Sequence, residues 1–251
     1  MNAADTEKSA GAPQAEMSFL DHVEELRWRI LKSLGAITVA SIPCGIYWKN
    51  IFNIALLFPL RFTNPKPHLI FTTPSEGVVL SIQIAIISGL IISSPVIFYQ
   101  LWKFISPGLY KNERQVVLPL VFFTSISFLA GIAFSYVVLP FFLRFLVSFG
   151  QGTLEPFFKA GEYIGFVLKI ALAFGLVFEL PVVAWVLTRA GIITPKFLVD
   201  KIRYAIVVIF IVAAVLTPPD VLSQLVMAVP LVVLYIISIG VSRYAARDKK
   251  S

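Results

Sequence analysis

Charge is what this chain has least of. Only 14% of its 251 residues are Asp, Glu, Lys or Arg, while 58% are hydrophobic and the mean hydropathy is +0.86. A soluble domain carries about 25% charged residues, so this chain has too little polar surface to cover a water-soluble globule, which excludes a soluble enzyme. The same hydrophobicity excludes a disordered chain. Cysteine is nearly absent: with Cys44 as its single thiol the chain can form no intramolecular disulfide. Histidine is limited to His22 and His68, far apart in sequence, which argues against a metal site. There is no Walker-type nucleotide loop, no cofactor motif and no internal repeat with a period of 20–50 residues. The opening residues lack the basic start and short apolar core of a cleaved signal peptide.

What is there is apolar sequence in long runs. A membrane-spanning helix needs about 20 mainly apolar residues, and six segments qualify or nearly so: Ile30–Trp48, Gly77–Gln100, Val116–Leu139, Tyr163–Thr188, Tyr204–Leu216 and Val221–Gly240. The fifth is short, and Thr217-Pro218-Pro219-Asp220 turns it back into the sixth as an antiparallel hairpin. Pro95, Pro119 and Pro181 predict bent helices, because proline removes a backbone hydrogen bond. The expected fold is therefore all-α, a polytopic six-helix membrane protein. Its domains would be a disordered tail over residues 1–17 (with Met17 an alternative start), a transmembrane domain over 18–240 and a cytoplasmic tail over 241–251. The segments Ile51–Leu60 and Pro140–Phe149 read as short helices resting on the outer membrane face.

The net charge of +7 does not indicate nucleic acid, because the basic residues are not gathered on one solvated face. They sit in short clusters between apolar runs. Fifteen of the 21 Lys and Arg fall on the side that holds both termini, five fall on the other side, and Lys169 lies inside the fourth segment. The positive-inside rule then places both termini in the cytoplasm.

The few acids near these runs are the candidates for function. Phe19, Val23, Leu26 and Ile30 share one helical face, so an amphipathic helix leads into the first span. On it Glu25 and Arg29 stand at i,i+4 and Glu24 and Arg27 at i,i+3, spacings that stabilise a helix by a few tenths of a kcal/mol. Glu113 follows a Pro107-Gly108 turn signal and opens the third span, where the helix dipole favours an anion. Structural pairing or capping, and a shared acidic site on a basic membrane face, both fit Glu25 and Glu113. Glu179 is sharper, because a carboxyl group deep in a span is costly when it faces lipid and so belongs against a cavity or a partner. Lys169 lies about 15 Å away along the axis, too far to neutralise it. Asp220 is placed to cap the sixth span, with Ser223 and Gln224 one turn further in.

Several stretches, in order from Phe19 to Gly240, carry a family resemblance. They are His22-Val23-Glu24-Glu25-Leu26-Arg27, Phe71-Thr72-Thr73-Pro74-Ser75-Glu76, Ser94-Pro95 with Tyr99-Gln100-Leu101-Trp102, Phe104 to Arg114, Phe174-Gly175 with Phe178-Glu179-Leu180-Pro181, and Leu216-Thr217-Pro218-Pro219-Asp220. Together they resemble TatC, the multi-spanning core subunit of the twin-arginine protein translocase. The resemblance implies a concave, glove-like bundle in the cytoplasmic (inner) membrane that recognises twin-arginine signal peptides of folded cargo. It implies recognition by Glu25 and Glu113, with Leu109 and Arg27 in the surrounding surface. It also implies contact of Glu179, Thr217, Gln224 and Asp220 with single-helix subunits of the TatA/TatB type, association with other copies of the chain, and drive from the proton-motive force.

Two other classes predict different patterns. A proton-coupled small-solute transporter using Glu179 as its relay calls for several acids or histidines across the membrane and for repeat symmetry. A membrane-embedded enzyme calls for clustered catalytic residues at membrane depth. Neither pattern is visible.

Overall fold

The computed structural model describes residues 19–109, 113–148, 155–217 and 221–248. The tail before residue 19, the turn at 110–112, and residues 149–154, 218–220 and 249–251 lie outside them. Nine α-helices are described: α1 (Phe19–Ile46), α2 (Trp48–Ile51), α3 (Glu76–Leu109), α4 (Glu113–Ser148), α5 (Ala160–Val177), α6 (Leu180–Ala190), α7 (Pro195–Asp200), α8 (Ile202–Leu216) and α9 (Val221–Asp248). Five stretches are long and apolar enough to cross a membrane: His22–Ile46, Glu76–Ser106, Val117–Ser148, Ala160–Ala190 and Val221–Arg247. The sixth, α8, has 15 residues; at 1.5 Å each it reaches about 22 Å, short of a hydrocarbon core of roughly 30 Å.

Large apolar side chains face outward along the helices, Val39, Ile42, Phe122, Phe123, Val137, Leu176, Val207 and Ile211 among them. Lipid is the solvent that tolerates such a surface. Inside, α1 runs along α3, α4 packs against both α3 and α5, and α9 packs against α6 and α8. One core gathers Ile84, Phe142, Ile164, Val167, Ile170, Phe174, Met227 and Leu231; a second gathers Phe98, Trp102, Leu120, Phe128 and Val186. Buried hydroxyls tie the helices together. The Trp102 indole N–H donates to Thr124 Oγ1 at 3.2 Å, and the hydroxyls of Thr188 and Ser242 join α6 to α9 at 2.7 Å. Without a strong hydrophobic drive in lipid, contact of this kind and close backbone approach hold membrane helices together. Backbones approach closely where α4 crosses α5: a methyl group added at Gly131 would lie 2.5 Å from the Phe174 carbonyl oxygen.

The segments around residues 48–70 and 140–159 differ from the expectation of short helices lying on the membrane. Residues after α2 do coil into a π turn (Phe52–Leu56) and a 3-10 turn (Pro59–Phe62), but Leu56 and Leu60 are buried in the main core. Their anchor is Tyr163, whose hydroxyl donates to the Leu56 carbonyl at 2.7 Å. Pro140–Phe149 is not a separate helix, since α4 continues through Pro140 to Ser148. The chain is also not purely helical. Strands β1 (His68–Ile70) and β2 (Phe157–Lys159) pair in parallel, Leu69 opposite Phe158.

Glu76 fastens this end of the bundle. Its Oε2 accepts from the Thr72 and Thr73 backbone N–H groups at 2.7 and 3.4 Å and from the Thr72 hydroxyl, while Oε1 accepts from the Gly161 N–H at 2.7 Å. One carboxylate thus binds the loop before α3 to the first turn of α5. Glu76→Ala should raise amide hydrogen exchange at Thr72, Thr73 and Gly161 on the order of 10-fold, while amides in the α4–α5 crossing keep their protection. Unchanged exchange at Gly161 would show that the strand pair closes this end unaided.

Candidate functional site

Glu25 lies on the first turns of α1, at the end of the bundle where α3 finishes. The two helices meet there through His22, whose ring stacks on Phe104 of α3 with centroids 4.3 Å apart and planes at 13°. His22 Nδ1 is 3.7 Å from Glu25 Oε2. On the next turn, Arg29 donates from both Nε and Nη2 to Glu25 Oε1. Of the two pairs expected from spacing, Glu25–Arg29 forms, whereas no ion pair joins Glu24 to Arg27 among the described residues. Arg27 and Glu24 are exposed to solvent, away from the Glu25 carboxylate.

The helix backbone places the other recognition candidates at the same end. Leu109 is the last described residue of α3 and Glu113 the first described residue of α4. The side chains of residues 107–116 lie outside the described part. The Pro107-Gly108 turn signal is corrected: α3 runs through both residues to Leu109. The missing Pro107 N–H costs the helix one backbone hydrogen bond, to the Lys103 carbonyl, without ending it.

Aromatic and basic residues mark this end. Lys103 lies over the Tyr99 ring at 5.7 Å, Arg189 over Trp185 at 5.5 Å, and Lys201 and Arg203 over Tyr204 at 5.3 and 5.4 Å. The opposite end has one described pair of this kind, Lys49 over Trp48. Aromatic side chains with long cations are the usual furnishing of a membrane–water boundary.

Glu179 sits at a kink. The apolar run read as one bent span from Tyr163 to Thr188 lies within the single stretch Ala160–Ala190, which kinks at Phe178 and Glu179 between α5 and α6 while both residues keep helical backbone angles. Pro181 is the cause, since it has no N–H to give back to the α5 carbonyls. The carbonyl of Phe178, exposed by the kink, accepts from the Ser127 hydroxyl of α4. Glu179 stands at the N-cap of α6 but makes no capping bond with its side chain. It is only 8% exposed, and its carboxyl lies near Phe128 with neither oxygen in a hydrogen bond of normal geometry. Lys169 is exposed, in keeping with a side chain that reaches outward.

The remaining polar candidates use their donors locally. Thr217 is buried and its hydroxyl donates to the Ala213 carbonyl at 2.9 Å, within the last turn of α8. Gln224 donates from Nε2 to the Phe210 carbonyl at 2.9 Å, which pins α9 to α8. Asp220 lies outside the described residues. Sequence reading missed the roles of three residues: Phe104 as the platform for His22, Ser127 as the partner of the kinked helix, and Glu76 as a latch. None of the three carried a local signal, since each partner lies on a distant segment.

A model of the family described as "Sec-independent protein translocase protein (TatC)" matches residues 21–230. The chain belongs to the TatC family. A TatC of Helicobacter pylori strain J99 is 48% identical over 223 residues, which are 88% of this chain and 87% of that protein. The TatC of Aquifex aeolicus is 40% identical over 237 residues, 93% of this chain and 98% of that one. Among solved structures, the crystal structure of the twin-arginine translocase receptor TatC superposes with a TM-score of 0.82 at 40% identity, covering 90% of this chain and all of that one. TatC is a translocase component and not an enzyme, so the chain is a multi-pass inner-membrane protein of the Sec-independent pathway.

Proposed function

We propose that this TatC recognises the paired arginines of signal peptides through Glu25 and Glu113, with Leu109 and Arg27 in the surrounding surface, and then scaffolds the translocation site for the folded cargo. The observation that carries the reading is the placement of Glu25. Its carboxylate stands at the end of the bundle where α3 closes and α4 opens at Glu113, and it already engages a guanidinium, that of Arg29. Guanidinium groups meet carboxylates through paired, charge-assisted hydrogen bonds, which a lysine ammonium cannot reproduce. Two acids at one boundary therefore have a physical reason to select arginine.

The same reading places both termini in the cytoplasm, because the cation–aromatic pairs gather at the end that holds Glu25. It assigns Glu179 to contact with a single-helix subunit of the TatA/TatB type, since a buried carboxyl without a donor has an interaction left to make. Thr217, Gln224 and Asp220 flank that contact at the α8–α9 hairpin. The short α8 strains the bilayer toward itself, where assembled partners and further copies of the chain, driven by the proton-motive force, open a path.

Photo-crosslinking in inner-membrane vesicles tests recognition. A crosslinker at exposed position 24 or 28, beside an intact Glu25, should label an Arg-Arg signal peptide at least roughly 10-fold more strongly than its Lys-Lys counterpart, as loss of one bidentate charged pair implies. Equal labelling of the two peptides would reject the assignment.

A further inference from the structure

In the structure neither oxygen of the Glu25 carboxylate is free to receive a guest. Oε1 carries both N–H groups of the Arg29 fork. Oε2 is shut off from solvent and has no hydrogen-bond partner, with His22 Nδ1 the nearest cation-forming group at 3.7 Å. Arg29 itself is well covered, its side chain 11% exposed against 27% for Glu25. A solvent-exposed pair at this spacing would open freely and mean little. Here the arginine is held down, the stacking of His22 on Phe104 keeps α1 against α3, and one acceptor oxygen is left buried without a donor. An oxygen in that condition is unfavourable as it stands and gains from any arrangement that supplies a second donor.

We propose that Arg29 is a built-in competitor for the incoming arginine: it occupies Glu25 as a guest guanidinium would, and recognition requires its displacement. The proposal rests on the reading of Glu25 as a signal-peptide acid. In a two-state picture the site is closed with Arg29 on Glu25, or open with Arg29 swung away. A guest that binds only the open form has its apparent affinity reduced by the open fraction. This reduction is the same for every peptide that needs the open form. Arg29 thus sets how tightly any signal peptide binds, while the carboxylates choose between arginine and lysine. The alternative role, a clamp that orients Glu25 for the guest, has the opposite consequence: removing the clamp spoils the bidentate geometry and harms the arginine peptide selectively.

The test is equilibrium binding of fluorescent Arg-Arg and Lys-Lys signal peptides to the full-length protein in nanodiscs, with thermal unfolding measured alongside. Arg29→Gln should tighten both peptides by a similar factor, on the order of 3- to 10-fold, and leave the Arg/Lys affinity ratio unchanged. Lys32→Gln removes the same charge one turn further along α1 and controls for general attraction of a cationic peptide; it should change either affinity by less than about 2-fold. Arg29→Lys keeps the charge but loses the fork and should fall between wild type and Arg29→Gln, which keeps the proposal testable if the glutamine variant unfolds. Weaker arginine-peptide binding or a smaller Arg/Lys ratio in Arg29→Gln overturns the proposal in favour of a clamp. Equal tightening by Lys32→Gln overturns it in favour of bulk charge. If the wild type shows no preference for arginine and Glu25→Gln changes nothing, the recognition reading itself fails, and that result is distinct from both others.

Discussion

Glu25→Ala should abolish export of twin-arginine substrates while leaving a folded, membrane-inserted protein. Truncating one partner of a hydrogen-bonded charge pair costs about 2–5 kcal/mol of binding, so signal-peptide affinity should fall roughly 30-fold or more. The fold should hold, because what Glu25 contributes to it is one part-buried pair with Arg29 on its own helix, worth about 1 kcal/mol. The α1–α3 contact at this level is made by the His22–Phe104 stack, which the substitution leaves in place. Export of a reporter, the amount of protein in the membrane and the unfolding midpoint together check this. A degraded product would mean that Glu25 serves the fold, and intact export would remove it from recognition.

The second large effect has two signs. Glu179→Leu should make the purified protein more stable by about 1–3 kcal/mol and at the same time strongly reduce export. The gain follows from removing a buried carboxyl whose two oxygens find no hydrogen bond. Nothing is lost at the kink, since Glu179 gives α6 no side-chain cap and the kink belongs to Pro181. Replacing the group with an apolar one of similar volume also avoids a cavity. The loss of export follows if the carboxyl is kept for a partner helix, a case of stability given up for function. Thermal unfolding in detergent and a transport assay, run on Glu179→Leu and Glu179→Gln, separate the two effects. A variant that is stabilised and still exports would leave Glu179 without a role in transport.

What could be read from the sequence was local. Long apolar runs located the spans, and the i,i+4 spacing of Glu25 and Arg29 predicted their pair. Pro181 predicted a bend in the fourth apolar segment. That the bend hands the Phe178 carbonyl to Ser127 was not legible, because the donor lies fifty-one residues away on another helix. The same holds for the strand pair, for Tyr163 on Leu56, and for Glu76 on Gly161, eighty-five residues apart. Three-residue strands have too little periodicity to announce themselves. Pro107-Gly108 misled for the opposite reason: a strong local turn signal was overridden by a helix that continues through both residues. In the candidate site, the identity of the acids was readable and their surroundings were not. The His22 ring beside Glu25 is set by Phe104 of α3, and the carboxyl of Glu179 lies near Phe128 of α4.

The fastening around Glu76 has a mechanical consequence. Strands β1 and β2, the Glu76 carboxylate and the Tyr163 hydroxyl all join chain segments at the end of the bundle farthest from Glu25. Helices stapled at one end cannot part there without breaking several hydrogen bonds together. Any splaying between α3 and α5 then pivots about the stapled end, and a small rotation there becomes its largest displacement at the far tips. The bundle is built like a pair of tongs, with its rivet on one side of the membrane and its grip on the other.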